Sequence, residues 1–334
     1  MYFKIYDKMR KKLPPFFGCN MYELACVDNP TSELMLRDAK AYGFDTIRFW
    51  CFYPTSEEKL QFLISCAKKY SLKFIPVLAD RWNYNQKFEI NSAWYNDGYK
   101  HEYLPYVLNL TERFKNCEDI LIWELINEPE TKKFEYLYNF VSDVTKKIKE
   151  VNKNHLISIG TIGGIGDKFG SHFSRFNSSL FEKLYSIKGL DIVSIHDYSY
   201  DATLLDRIEI HFHFKGKAGA AKFFNLLNKP IVWIRGLWDY FCLQNFNRII
   251  SNPVSVRWLW RQYIKKNIET AYALNKPIYI GEIGYKSYNG NFRKNLIKHD
   301  RIRYFNEGVR GYLLWSFEAQ GKSKDGHGYG FGDK

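Results

Sequence analysis

The sequence predicts an α/β fold, a single (β/α)8 barrel, and three observations predict it. Strand-length runs rich in β-branched and aromatic residues recur eight times with helical stretches between them, which calls for a parallel sheet covered on its outside. The length of 334 residues suits one such barrel with additions, since barrels run to about 250 residues or more as one unit. Several runs also close on polar or ionisable residues, where a buried strand ordinarily gives way to turn formers.

In chain order, the first strand is read over 16–24. Pro30, Thr31 and Ser32 punctuate, and a helix over 33–42 is closed by Gly43. A second strand over 44–50 precedes a helix over 56–70, with Ser56 as its N-cap. The third strand covers 72–78. A long loop from 79 to about 98 holds Trp82, Tyr84, Trp94 and Tyr95, either as platforms on which a ligand stacks or as an aromatic lock. A helix over 99–115 leads to the fourth strand, 120–126, which ends in Asn127, Glu128 and Pro129.

A helix over 131–151, a strand over 156–160, a glycine-rich loop and a helix near 179–186 follow. The sixth strand spans 190–198. Helix 254–274, strand 277–283, helix 292–307 and strand 311–317 complete the series, the seventh strand delivering Glu282 at its end. Two irregularities accompany this single domain, 1–334. An insertion after strand six, about 200–253, contains a strand-like run from Lys229 to Arg235. It brings no carboxylate and is assigned to an excursion over the barrel mouth. After Phe317 only a Gly-rich stretch, 322–334, remains, so there is no evident eighth helix. The N-terminal segment covers that flank, or the chain is a fragment.

Side chains alternate along a strand, so residues of one parity share a face. That alternation groups Glu124, Ile126 and Glu128 on strand four, His196 and Tyr198 on strand six, Ile280 and Glu282 on strand seven, and Leu313, Trp315 and Phe317 on strand eight. An acid ending an apolar run tends to keep its proton and can become a general acid, which makes Glu128 and Glu282 the main functional clue. Glu124 points into the barrel and needs a partner. Arg48 on strand two is the candidate, either pairing with Glu124 or reaching up to a carboxylate at the mouth. Glu23 and Asp80 also end strands, as subsite groups or structural ones.

Composition is that of an ordinary globular chain, 46 % hydrophobic and 25 % charged, with an aromatic share of 18 %. The net charge of +13 raises the question of nucleic acid. The basic residues are scattered, and short clusters such as 9–12 and 146–149 read as solvated helix faces, so no nucleic-acid partner is expected. Six cysteines form no CxxC pair, which points away from zinc ribbons and towards a reducing compartment. His211 and His213 read as linker histidines, so no metal is expected. No run is apolar enough for a signal peptide or a membrane span. The expectation is a cytoplasmic protein unless an export signal is missing, with no membrane partner and an oligomeric state the sequence does not give.

Five segments then fall together in order, each at a strand end: Ile47-Arg48-Phe49-Trp50, Trp123 to Pro129, His196-Asp197-Tyr198, Gly281-Glu282 and Leu314-Trp315-Ser316. On these, from about 16 to 330, the chain resembles the clan A glycoside hydrolases and is most similar to family 5. The resemblance implies that Glu128 is the acid/base and Glu282 the nucleophile of a retaining mechanism. It implies that Asn127 bonds the sugar's 2-hydroxyl and that Arg48 orients Glu282. His196 and Tyr198 line the site, with Tyr198 bonding Glu282; Trp315 is the sugar platform, and Trp82 adds to the cleft. That mechanism has Glu128 raised in pKa and Glu282 kept ionised by Arg48 and the tyrosine. No cofactor is implied. The substrate is a β-1,4-linked polysaccharide, mannan or glucomannan before cellulose-type glucan. An exo-acting glycosidase and a non-catalytic carbohydrate-binding barrel are the alternatives.

Overall fold

Eight parallel strands close into a ring in chain order: β1 (Phe16–Asn20), β2 (Thr46–Trp50), β3 (Lys73–Val77), β4 (Ile122–Asn127), β5 (Leu156–Thr161), β6 (Val193–Asp197), β7 (Ile278–Gly284) and β8 (Gly311–Trp315), which pairs back to β1. The computed structural model describes residues 13–83, 86–131, 133–162, 178–198, 254–287, 290–318 and 328–330, with a few positions between 219 and 227. The helices among these are α1 (Asn29–Ala41), α2 (Glu57–Tyr70), α3 (Ser92–Asn96), α4 (Tyr103–Arg113), α5 (Phe134–Val151), α6 (Ser178–Tyr185), α7 (Val254–Ala273) and α8 (Gly290–Asn306). The barrel expectation is met. The 200–253 excursion with its Lys229–Arg235 run, His211, His213 and Tyr84 lie outside the described residues, as does all of the tail after 318 except Gly328, Tyr329 and Gly330.

Strand ends differ from the sequence reading where local chemistry intervenes. β1 stops at Asn20 because the chain turns immediately afterwards, with Leu24 N–H bonding Met21 O at 3.0 Å. α1 begins at Asn29, not at 33. Asp28 caps it by accepting from Thr31 N–H at 2.8 Å, and Pro30 sits in the first turn, where its missing N–H costs nothing. Ser56 does cap α2. The long loop after β3 contains α3, capped by Asn91. Trp94 and Tyr95 are buried there against Phe140 of α5, so the aromatic lock describes them and the platform reading does not. Trp82 stays at the rim, 52 % exposed.

The outer faces of the strands and the helices share one large apolar core, including Ile47, Phe49, Trp123, Leu125, Ile157, Ile195 and Ile280. Inside the ring the filling is layered, as barrels of this kind are filled. Phe16, Ile75, Ile122, Ile192, Tyr279 and Leu313 form the floor with Leu13. Tyr22, Trp50, Phe52 and Val77 form an aromatic wall near the mouth, with Trp315 packed against it. Between them lies a buried polar layer that contains Asn20, Arg48, Glu124, Ser158 and Ser194.

Two strands break the period of two, and both carry a strand-end glutamate. Glu124 and Asn127 of β4 face Ser158 and Gly160 of β5, so three steps on one strand match two on the other. Ile195 and His196 of β6 face Ile280 and Glu282 of β7, which skips Gly281. These are β-bulges, and one extra residue flips every side chain beyond it. Ile126 therefore joins the outer core with Leu125, instead of sharing a face with Glu124. Ile280 likewise lies outside while Glu282 turns to the mouth. Just beyond β8, Phe317 falls in the outer core and not beside Leu313 and Trp315.

Candidate active site

Arg48 is fully buried in the middle of the ring and engages all five of its N–H groups. Nε–H is shared between the two Glu124 oxygens at 3.2 Å. Nη2 reaches Glu124 Oε1 at 2.5 Å and Asn127 Oδ1 at 2.7 Å. Nη1 reaches Asn20 Oδ1 and Glu282 Oε1, each at 2.7 Å. Both alternatives foreseen for this arginine thus hold at once: it neutralises Glu124 and grips Glu282. Burial alone would depress the guanidinium, and the Glu124 and Glu282 carboxylates more than reverse that, raising its pKa. Gly160 makes room for the pair, since a Cβ there would run into Glu124 and stand 3.0 Å from Arg48 Nη2.

Glu282 is held at both oxygens. Oε1 takes the Arg48 bond, and Oε2 accepts from the Tyr198 hydroxyl at 2.6 Å. Both donors favour the ionised carboxylate, as expected of them, and burial acts against them. Burial raises the Glu282 carboxyl above the ordinary range, Glu128 nearby adds to the rise, and His196, Arg48 and the Tyr198 bond work against it. Tyr198 itself is pushed well up by burial and by the two carboxylates.

Glu128 follows the β4 bulge with a left-handed backbone, φ 44°, an uncommon conformation for a residue with a side chain and one that accumulates at functional sites. Its Oε1 lies 2.8 Å from His196 Nδ1, and its Oε2 accepts from the indole N–H of Trp82 at 2.7 Å. His196 Nδ1 is also 3.5 Å from Glu282 Oε2, so the ring stands between the two acids. Oxygens of Glu128 and Glu282 come within 4.8 Å of each other.

The eight residues singled out from the sequence (Arg48, Trp82, Asn127, Glu128, His196, Tyr198, Glu282 and Trp315) all gather at this end of the barrel. Asn127 has its Oδ1 on Arg48 and its Nδ2 on Asp80 Oδ1 at 3.0 Å, so Asp80 orients Asn127. Trp315 stacks on Tyr22 with ring centroids 5.6 Å apart and lies 5.8 Å from Trp50. Glu23 is half-buried just beyond β1. Two contributors escaped the sequence reading. Asn20, besides meeting Arg48, donates to Gly281 O at 3.0 Å and so ties β1 to β7. Tyr279 donates to Glu124 Oε2 at 2.5 Å from the far side of the ring. A polar residue closing β1 was the available signal for Asn20; Tyr279 offered none.

Glu128, His196 and Glu282 are spaced as three ligands of one metal ion. The donor set fits a cation poorly. A fixed guanidinium already neutralises Glu282, and Trp82 and Tyr198 occupy the remaining carboxylate oxygens. The arrangement instead suits proton transfer and nucleophilic attack: two carboxyls face one small volume, one on a buried guanidinium and the other on an imidazole and an indole N–H.

Comparison with known proteins points the same way. The family described as Cellulase (glycosyl hydrolase family 5) matches residues 11–321. The chain is 23 % identical over 290 residues to mannan endo-1,4-beta-mannosidase A of Podospora anserina, covering 83 % of this chain and 64 % of that protein, so it spans less than two thirds of that relative's length. Among solved structures it is similar to an endo-1,4-beta-D-mannanase from Thermotoga petrophila RKU-1, with TM-score 0.67 and 18 % identity over 95 % of both chains. It is also similar to endoglucanase Cel5A from Thermotoga maritima, with TM-score 0.60 and 15 % identity over 98 % of this chain and 94 % of that one. At these identities the two structures speak for the fold alone.

Proposed function

The chain belongs to glycosyl hydrolase family 5, and from that premise we propose that it is a retaining endo-β-1,4-glycanase whose substrate is mannan or glucomannan. The observation that carries the mechanism is the approach of the Glu128 and Glu282 oxygens to within 4.8 Å. Retaining glycosidases hold their carboxyls about 5–5.5 Å apart, whereas inverting ones leave about 6.5–9.5 Å for a water. Glu282, seated on Arg48, attacks the anomeric carbon while Glu128 protonates the departing glycosidic oxygen. Glu128 then takes a proton from the water that releases the glycosyl-enzyme ester.

Trp315 ends β8 at the same end of the barrel and packs on Tyr22 and Trp50, an aromatic surface of the kind that seats a sugar face. Asn127, held at both ends by Arg48 and Asp80, is the group for the neighbouring hydroxyl. The preference for mannan over glucan is supported by the curated relative, named a mannan endo-1,4-beta-mannosidase. An endoglucanase is the second reading, supported by the description of the matching family as Cellulase. Among the described residues no helix is long and apolar enough to cross a membrane.

Product analysis on mannan, glucomannan, carboxymethylcellulose, lichenan and xylan, with aryl-glycosides as exo control, tests the substrate. Oligosaccharides released first from mannan, with the β-anomer formed initially by NMR, are expected. Initial α-products would overturn retention, and monosaccharide released from the chain end would overturn endo action. Unchanged hydrolysis by Glu128→Gln or Glu282→Gln would sink the mechanism, and binding without hydrolysis by the wild-type chain on every substrate would leave a carbohydrate-binding barrel.

A further inference from the structure

His196 presents Nδ1 to the two acids, and its other ring nitrogen turns back into the barrel wall. That Nε2 has no hydrogen-bond partner among the described residues, and neither has Ser194 Oγ, two positions earlier on the same strand. Both residues are buried, at 1 % and 0 % exposure. The two atoms converge on one point: a Cβ on Gly281 would stand 2.5 Å from Ser194 Oγ and 3.2 Å from His196 Nε2. Gly281 has no such atom and is the residue that the β7 bulge inserts. Bulge and glycine together therefore let a hydroxyl and a ring nitrogen close in on the same stretch of backbone. Ser194 Oγ also lies beside the Tyr279 hydroxyl, which gives its own proton to Glu124 and can accept one from Ser194, so the Ser194 lone pairs are what is left without a donor.

One unpaired buried polar atom is costly, and two side by side are rare in folded proteins. A buried water with about two to four polar neighbours is the common remedy. We propose that a water molecule binds over Gly281, bridging Ser194 Oγ and His196 Nε2 and donating to the latter, and that Ser194 is thereby a positioning residue that fixes His196 as its Nδ1–H tautomer. With Nε2 accepting, the ring proton sits on Nδ1 and is donated to Glu128 Oε1. The transferable proton of Glu128 is then left to Oε2, the oxygen that meets the rim residue Trp82. The opposite tautomer would draw that proton to Oε1 and towards the ring, away from a leaving group. The inference rests on Glu128 as acid/base and adds what holds its proton at the productive oxygen.

The ring tautomer is read directly by 15N NMR of the full chain without substrate, the His196 signals being assigned by their loss in His196→Asn. Wild-type protein is expected to show Nδ1–H. Ser194→Ala, which removes only the hydroxyl, is expected to show a mixture or the other tautomer, with kcat on mannan down about fivefold and KM little changed, the effect of one lost hydrogen bond. A crystal structure fine enough to show waters is expected to place one within hydrogen-bond distance of both Ser194 Oγ and His196 Nε2. A wild-type Nε2–H ring, an unaltered tautomer in Ser194→Ala, or no density at that point overturns the proposal. Failure of the acid/base reading would show separately, as hydrolysis surviving Glu128→Gln whatever the ring does.

Discussion

Glu128 and Glu282 reach the barrel mouth by the same device and are held there by different chemistry. Each follows an extra residue in its strand, and each accepts a hydrogen bond at both oxygens. Beneath Glu282 lies a guanidinium that four other acceptor oxygens keep in place. Glu128 has an imidazole and a rim indole instead. A guanidinium keeps its charge throughout and favours one charge state of its partner, whereas an imidazole and an indole impose no permanent charge on theirs. The contrast matches a division of labour between attack and proton shuttling, and each side can be perturbed alone.

The largest effect expected is the loss on Glu282→Gln, on the order of 10⁵-fold in kcat on every substrate, because nothing replaces the nucleophile. Glu128→Gln breaks the symmetry. It should cost about 10²–10⁴-fold on mannan and far less on an aryl-glycoside whose leaving group needs no proton. Steady-state rates on the two substrates check this, and equal losses on both would erase the distinction between the acids.

Glu124→Gln strikes the cation from below. Removing one partner of a buried pair leaves Arg48 under-neutralised, and denaturant unfolding should register a loss of about 3–5 kcal/mol.

Tyr198→Phe has a smaller effect with a defined sign. The Tyr198 bond opposes the rise of the Glu282 carboxyl, so its loss lets that pKa climb further. Glu282 must be ionised to attack, so the acid limb of the kcat/KM profile moves to higher pH. The accompanying drop is about tenfold for a hydrogen bond to a charged group. Trp82→Phe, which removes a single donor from Glu128, should lower kcat/KM on mannan by about fivefold and leave the acid limb unmoved. If Trp82→Phe shifts the acid limb as Tyr198→Phe does, the two carboxyls titrate as one unit and the comparison fails.

The barrel was legible because its strands are buried on both faces and their β-branched runs are separated by amphipathic helices. The site was legible because Glu128, His196 and Glu282 stand where such strands end. What periodicity could not deliver was the facing of residues beyond the bulges. A parity rule carries Glu124 through Ile126 to Glu128, and one inserted residue defeats it without changing composition. Gly281 was a usable hint, since glycine inside a strand often marks a bulge; β4 has no equivalent. Reading β1 through to residue 24 hid Asn20 in mid-strand, although its position is the one that made the glutamates conspicuous. The rise of the Glu282 carboxyl depends on burial depth, which no spacing in the sequence encodes.

Arg48 has a bearing on assembly as well. Its acceptors come from β1, β4 and β7, so one side chain on β2 collects contributions from across the whole ring. A folding intermediate that has built β1 to β5 can satisfy Arg48 with Asn20, Glu124 and Asn127, yet it leaves Glu282 with no seat. Competence for chemistry therefore requires β7 to be in place, because Glu282 meets Arg48 only from that strand. Recovery of hydrolysis during refolding would time that placement, lagging behind any optical signal that reports the earlier strands.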